Sequence, residues 1–153
     1  MKNSIKFLIP CFIGMSTIGL AQDKIYTIDN VDKMVIYPGC ENNQDNEQLK
    51  NCFNKKIQLD IVNLLKDSKL IDQYVDKENI TFTSNAKFEI NSEGKIVNLS
   101  VKGDQELNDF ISKAFQDLNE NFISKNQYIS PAQNKNGQKV TMEYQLPVRL
   151  AIM

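Results

Sequence analysis

The run Ile80-Thr81-Phe82-Thr83-Ser84-Asn85-Ala86-Lys87-Phe88-Glu89-Ile90, then Asn91-Ser92-Glu93-Gly94-Lys95, then Ile96-Val97-Asn98-Leu99-Ser100-Val101-Lys102, decides the fold. In its first part Ile80, Phe82, Ala86, Phe88 and Ile90 fall on one side of a period of two, and Thr81, Thr83, Asn85, Lys87 and Glu89 on the other. Successive side chains of a strand point to opposite faces, so this is a strand with one dry face and one wet face. Gly94 supplies the left-handed position that a short, bulged hairpin turn requires. The return run alternates again, with Val97, Leu99 and Val101 against Asn98, Ser100 and Lys102. An antiparallel hairpin is therefore expected.

Upstream, Leu49, Phe53, Ile57, Ile61, Leu64 and Leu65 recur at spacings of three and four, while Lys50, Asn54, Asp60 and Asn63 fall off that stripe. This predicts an amphipathic helix over about residues 47–67, capped by Asp45 or Asn46. Residues 68–78 are charged and connect, with Leu70, Ile71 and Tyr74 giving some packing. Met34-Val35-Ile36-Tyr37 reads as a short strand or an extended lead-in, stopped by Pro38-Gly39.

Downstream, Gly103-Asp104 breaks the strand pattern and Asp104 can cap a second helix. Leu107, Phe110, Ile111, Ala114, Phe115, Leu118 and Phe122 form its apolar stripe. Residues 124–139 read as irregular, with Pro131 limiting helix and Asn136-Gly137 suggesting a tight turn. In the last segment Val140, Met142, Tyr144, Leu146, Val148, Leu150 and Ile152 alternate with Thr141, Glu143, Gln145 and Arg149. Pro147 falls on the polar side; it cannot donate to a ladder, so it favours an edge or a bulge. The fold class is α+β: a two-layer sandwich with an antiparallel three-stranded sheet and its helices on one face.

The N-terminal block carries Lys2 and Lys6, then a mostly apolar run ending in Gly19-Leu20-Ala21. That is a charged region, an apolar region and a small-residue cleavage site, so residues 1–21 read as an export signal cut before Gln22. Its apolar part, about 15 residues, is shorter than the roughly 20 a membrane helix needs; an uncleaved anchor is the alternative. Residues 22–35 then form a lead-in and 36–153 the domain. Loss of Lys2 and Lys6 takes 18 basic residues to 16 against 19 acidic, a net charge of −3. No basic cluster points to nucleic acid. Cleavage also removes Cys11, and in an oxidising compartment the remaining Cys40 and Cys52 suggest a disulfide, with two free thiols as the alternative.

With no His in the chain, neither a Ser-His-Asp nor a Cys-His catalytic arrangement can form. The glycines match no phosphate-binding pattern, and the carboxylates are scattered over faces expected to be wet. Two thiols without His do not fill a tetrahedral zinc site. The reading is a non-enzyme with no cofactor and no metal. A three-stranded open sheet, however, has two edges, and unpaired edges bind extended peptide by strand addition. The last strand is the candidate, with Val140, Met142, Tyr144, Leu146, Val148 and Leu150 as partner-binding positions.

Tyr37-Pro38-Gly39-Cys40-Glu41, a helix, a hairpin with Gly at its turn and a second helix resemble the C-terminal domain of TonB-like proteins. So do Ser130-Pro131-Ala132, Asn136-Gly137-Gln138-Lys139-Val140 and Tyr144-Gln145-Leu146-Pro147-Val148 at the end. The resemblance covers nearly all of the mature chain. It implies a β-β-α-β core with strand order 2-1-3 and the last strand at an edge. It also implies a periplasmic protein of Gram-negative bacteria that pairs this strand with a short peptide of an outer-membrane transporter. The chain departs from the family: it has no Pro-rich spacer, and Tyr128 and Ile129 stand where a tryptophan is often found. The expected function is protein binding by edge-strand addition at the cell envelope, with a link to TonB-dependent transport. The alternatives are a structural or inhibitory protein that keeps the fold, an anchored energy transducer if residues 5–21 are retained, and a homodimer formed by strand exchange.

Overall fold

The structure is a computed structural model that describes residues 24–43, 45–69, 72 and 80–152. The expected export signal, Leu70, Ile71 and Tyr74 lie outside the described residues. Helix α1 spans Asn46–Lys66, strand β1 Ile80–Ile90, strand β2 Ile96–Gly103 and helix α2 Gln105–Ser124. Short strands β3 (Ala132–Gln133) and β4 (Lys139–Val140) precede the long strand β5 (Met142–Ile152). The main sheet is antiparallel in the order β2-β1-β5, and β3 pairs with β4 in a separate small hairpin. The class is α+β, as the alternation of residues 80–102 implies. Among the described residues no helix is long and apolar enough to cross a membrane.

Strand β1 buries Phe82, Ser84, Ala86, Phe88 and Ile90 and exposes Thr81, Thr83, Asn85 and Lys87. The turn closes where expected: Gly94 has φ +79, and a Cβ there would come within 1.9 Å of the Ile129 carbonyl oxygen. No other residue fits this position. The return strand departs from simple alternation. Its register against β1 shifts between Lys87 and Glu89, and Asn98 takes φ +52. This is a β-bulge, and the extra residue reverses the phase. Val97, expected beside Leu99 and Val101, pairs instead with Glu89, and Ile96 opposite Ile90 takes the buried place.

Asp45 caps α1, its carboxylate accepting from Gln48 N–H at 2.8 Å. Asn46 does something else: its amide accepts from Met34 N–H and donates to the Asp32 carbonyl, tying the lead-in to the helix start. Leu49, Phe53, Ile57, Ile61 and Leu65 are buried, as their spacing predicts. In α2 the carboxylate of Asp104 makes no cap bond to its own helix; it accepts from Thr83 N–H at 2.6 Å and so fixes the helix to β1. Leu107, Ile111, Ala114, Phe115, Leu118 and Phe122 face the sheet side.

The lead-in belongs to the core. Val31, Met34, Val35 and Tyr37 are buried, and Lys33 and Ile36 bridge to Gln133 and Ser130. The packed unit thus begins upstream of residue 36. Residues 124–139, expected to be irregular, contain the β3–β4 hairpin, with its turn at Asn134–Gly137 closed by Gly137 N–H donating to the Asn134 carbonyl.

Cys40 and Cys52 are joined in a disulfide with a Cα–Cα distance of 5.9 Å. It closes a separation of 12 residues and pins the Pro38-Gly39 turn to the first turns of α1. In the chain-entropy picture such a loop contributes about 3 kcal/mol. Reduction, or the double change of Cys40 and Cys52 to Ser, is expected to lower the thermal midpoint by on the order of 10 °C. A scan with and without reductant checks this, and an unchanged midpoint would show that the bridge is not stabilising.

Candidate functional site: the outer edge of the last strand

Strand β1 is flanked on both sides, so β2 and β5 form the two edges of the sheet. They are not equivalent. The β2 edge is short and bulged, and the side chain of Asn119 bonds both the Ile96 N–H (3.2 Å) and its carbonyl (2.9 Å). Bulges and covering groups of this kind blunt an edge. The β5 edge carries an unbroken register of paired residues against β1, from Ile80–Ile152 to Ile90–Met142. Pro147 sits in it opposite Asn85 without a bulge.

The six positions expected to meet a partner are placed differently from that expectation. Val140 lies in β4, paired with Ala132, and is not part of the edge strand. Met142, Tyr144, Leu146, Val148 and Leu150 are all buried in the core. Alternation identified the dry face correctly, but the dry face is the one the helices cover. A strand added at this edge would meet the backbone of the other phase. The Glu143 N–H donates outward to the Tyr26 carbonyl at 2.8 Å, and Tyr26 N–H donates to the Thr141 carbonyl at 2.9 Å. With a regular register, the outward-facing backbone groups beyond them belong to Gln145, Pro147, Arg149 and Ala151. Among the described residues no strand pairs with these groups. Gln145, Pro147 and Arg149 are exposed. Tyr26, on the lead-in, occupies the first rung in a parallel sense, so the edge already accepts one residue of foreign backbone direction.

Helix α1 runs alongside this edge. A groove of about 390 Å³ is bounded by Thr27, Asp29, Lys50, Asn54, Tyr144 and Gln145. A second, of about 160 Å³, lies farther along between Gln58, Ile61 and Val62 of α1 and Pro147, Val148 and Arg149 of β5. Lys50, Asn54, Gln58 and Val62 are four apart, so they form one row on the helix. That row is the wall of the edge. Sequence reasoning placed Lys50 and Asn54 off the apolar stripe and went no further; the signal was the i, i+4 row itself. Tyr26 carried no signal, because an isolated bridge has no periodicity.

A larger cleft, about 740 Å³, opens on the helix side between α1, α2 and the Tyr37-Pro38-Gly39 turn. Its charged lining is mixed: Glu41, Lys56, Asp60, Asp67 and Lys125. The Gly39 N–H donates to Glu41, which holds that carboxyl below its usual range. Tyr37 donates to Asp60 at 2.7 Å. Burial first, then this carboxylate, push the Tyr37 hydroxyl far above its usual pKa. Among the described residues no group of three or more His, Cys, Asp or Glu side chains is placed to hold a metal ion.

Tyr144 is the anomaly of the edge strand. Its ring packs on Phe53 (centroids 4.4 Å apart) and Phe88 (5.9 Å), and it borders the first groove. Its hydroxyl is buried with no hydrogen-bond partner among the described residues, and burial raises its pKa. A buried unpaired hydroxyl costs about 1–3 kcal/mol. Tyr144→Phe is therefore expected to hold or raise stability near neutral pH, by about 1 kcal/mol. Both tyrosines have pKa values raised above an unfolded value of about 10, so their contribution is intact below that pH and is lost above it, at about 1.4 kcal/mol per pH unit each. Denaturant melts from pH 7 to 11 should show a shallower alkaline loss for Tyr144→Phe than for the parent. Destabilisation of the variant at pH 7 would mean that the hydroxyl has a partner.

Comparison with protein-family models, with curated proteins and with solved structures finds no match to this chain.

Proposed function

We propose that the protein is an exported protein-binding module that recognises an extended segment of a cell-envelope partner by strand addition on β5. The observation that carries this reading is the run of outward backbone groups at Gln145, Pro147, Arg149 and Ala151, which no strand of the described residues pairs. Main-chain hydrogen bonds give affinity in this mode, and side-chain pockets beside the edge give selectivity. Both elements are in one place here, because the α1 row lies along the same stretch. The order β2-β1-β5 with the last strand outermost is also what the resemblance to TonB C-terminal domains implies. A TonB-like role at the envelope, with a transporter peptide as partner, is the form of this function that the resemblance favours. The blunted β2 edge leaves β5 as the place for it.

The ladder has a defined gap. Pro147 has no N–H, so an added strand would take its donors from Gln145, Arg149 and Ala151. The test is amide exchange resolved by residue, with and without outer-membrane fractions of a Gram-negative bacterium. Exchange at Gln145 and Arg149 should slow by about tenfold or more on partner binding, while Leu146 and Val148, already bonded to β1, stay unchanged. If Gln145 and Arg149 exchange at the same rate with every fraction, strand addition at this edge is wrong.

A further inference from the structure

We infer that the segment recognised at β5 is acidic, and that Arg149 and Lys50 read its charge. This rests on the edge-strand reading above and specifies its partner. Arg149 is the only arginine in the chain. It stands exposed on the edge strand, at one of the three positions, with Gln145 and Ala151, that can still donate a backbone N–H. Its guanidinium is a planar fork suited to a carboxylate in a way that a lysine is not. Lys50 is exposed on the wall of the first groove, toward the other end of the same edge. Neither has an ion-pair partner among the described residues; the ion pairs there are Lys87–Glu143, Lys95–Glu93 and Lys113–Asp117.

The neighbouring acids do not cancel this. Glu143 also lines the first groove, and its carboxylate is engaged by Lys87 at 2.8 Å. Asp29 lies on the lead-in side of the first groove, opposite the helix that carries Lys50. The two cations also lie on different faces of the sheet plane: Lys50 on the helix side, Arg149 on the wet side. An added strand presents alternate residues to those two faces. Its acidic residues would thus fall on opposite faces, one toward each end. Between them Ile61, Val62 and Val148 border the second groove and suit one apolar side chain facing α1. The recognised chemistry is an extended stretch of about six residues with carboxylates at its flanks and an apolar residue inside.

The experiment uses the disulfide-bonded chain and three synthetic peptides of about ten residues with alternating Val and Thr. One carries two Glu at the flanks, one Gln in their place and one Lys. Binding is titrated by fluorescence anisotropy, with amide exchange at Gln145 and Arg149 locating the site. The Glu peptide should bind about five- to tenfold more tightly than the Gln peptide, consistent with two exposed ion pairs. The advantage should shrink in Arg149→Gln and in Lys50→Gln, and at high salt. Both residues are exposed, so both variants should keep the parent's thermal midpoint. Equal binding of all three peptides at the edge would overturn the acidic preference and leave strand addition standing. If none of the three slows exchange at Gln145 and Arg149, the acidic segment falls together with the edge site. Protection of the same amides without peptide, accompanied by a dimer in sedimentation, would make the occupant a second copy and overturn the inference.

Discussion

The pairing of β1 with β5 sets the rest of the molecule. It joins residues 80–90 to residues 142–152 in one continuous register, and among the described residues it makes β1 the only strand with two strand neighbours. The hairpin to β2 takes one side of β1, so β5 takes the other, and among the described residues only the Tyr26 bridge lies beyond it. The wet face of the sheet carries Thr, Asn and Lys, so both helices must cover the opposite face. Helix α2 packs on β2 and β1, and α1 lies beside α2 over β5. That leaves α1 flanking the open edge lengthwise. The edge and its side wall therefore follow from one strand pairing and one polar face.

Stability is concentrated away from this edge. Six rings, Phe122, Tyr37, Phe53, Tyr144, Phe88 and Phe115, form a connected chain at centroid distances from 4.4 to 5.9 Å. Such pairs contribute about 0.5–1.5 kcal/mol each beyond their buried area. The chain of rings links α2, the lead-in, α1, β5 and β1. The disulfide reinforces the same side, holding the lead-in turn to α1. The inner face of β5 is thus fixed by packing, while among the described residues its outer backbone beyond Tyr26 has no strand partner, a division under which a strand could be added without remodelling the core.

Periodicity made the main elements legible, since burial imposes a period of two on β1 and 3.6 on α1 and α2. It also gave the dry face of β5 residue by residue. It failed at three kinds of place. The bulge at Asn98 changed the phase of β2 because one residue took a left-handed conformation, and an Asn among alternating residues does not announce that. The lead-in was underestimated because Val31, Met34 and Val35 are buried without regular spacing, held by isolated bridges and by Asn46. The six positions expected to meet a partner lie in the core or in β4: hydrophobic alternation marks side chains that seek the core, whereas an edge presents the backbone of the residues between them. Pro147, read from the sequence as favouring an edge or a bulge, does lie on the edge strand, without a bulge, and Arg149 stands exposed two residues beyond it.

An open strand edge invites pairing between copies of the same chain, and proteins commonly blunt it with Pro and charge. Here that device also discriminates between occupants. In any antiparallel pairing of two β5 edges that includes Pro147, each copy contributes one position without a donor, so two ladder bonds are missing. A foreign strand with no proline of its own meets only one such gap and leaves a single carbonyl to water. Arg149 acts in the same direction, because two copies bring two guanidinium groups to one short interface, and like charges on paired strands are unfavourable. Tyr26 shortens the available stretch at the other end by occupying the rung between Thr141 and Glu143. The features that guard the edge against a second copy are thus the ones that leave it open to a segment of opposite charge.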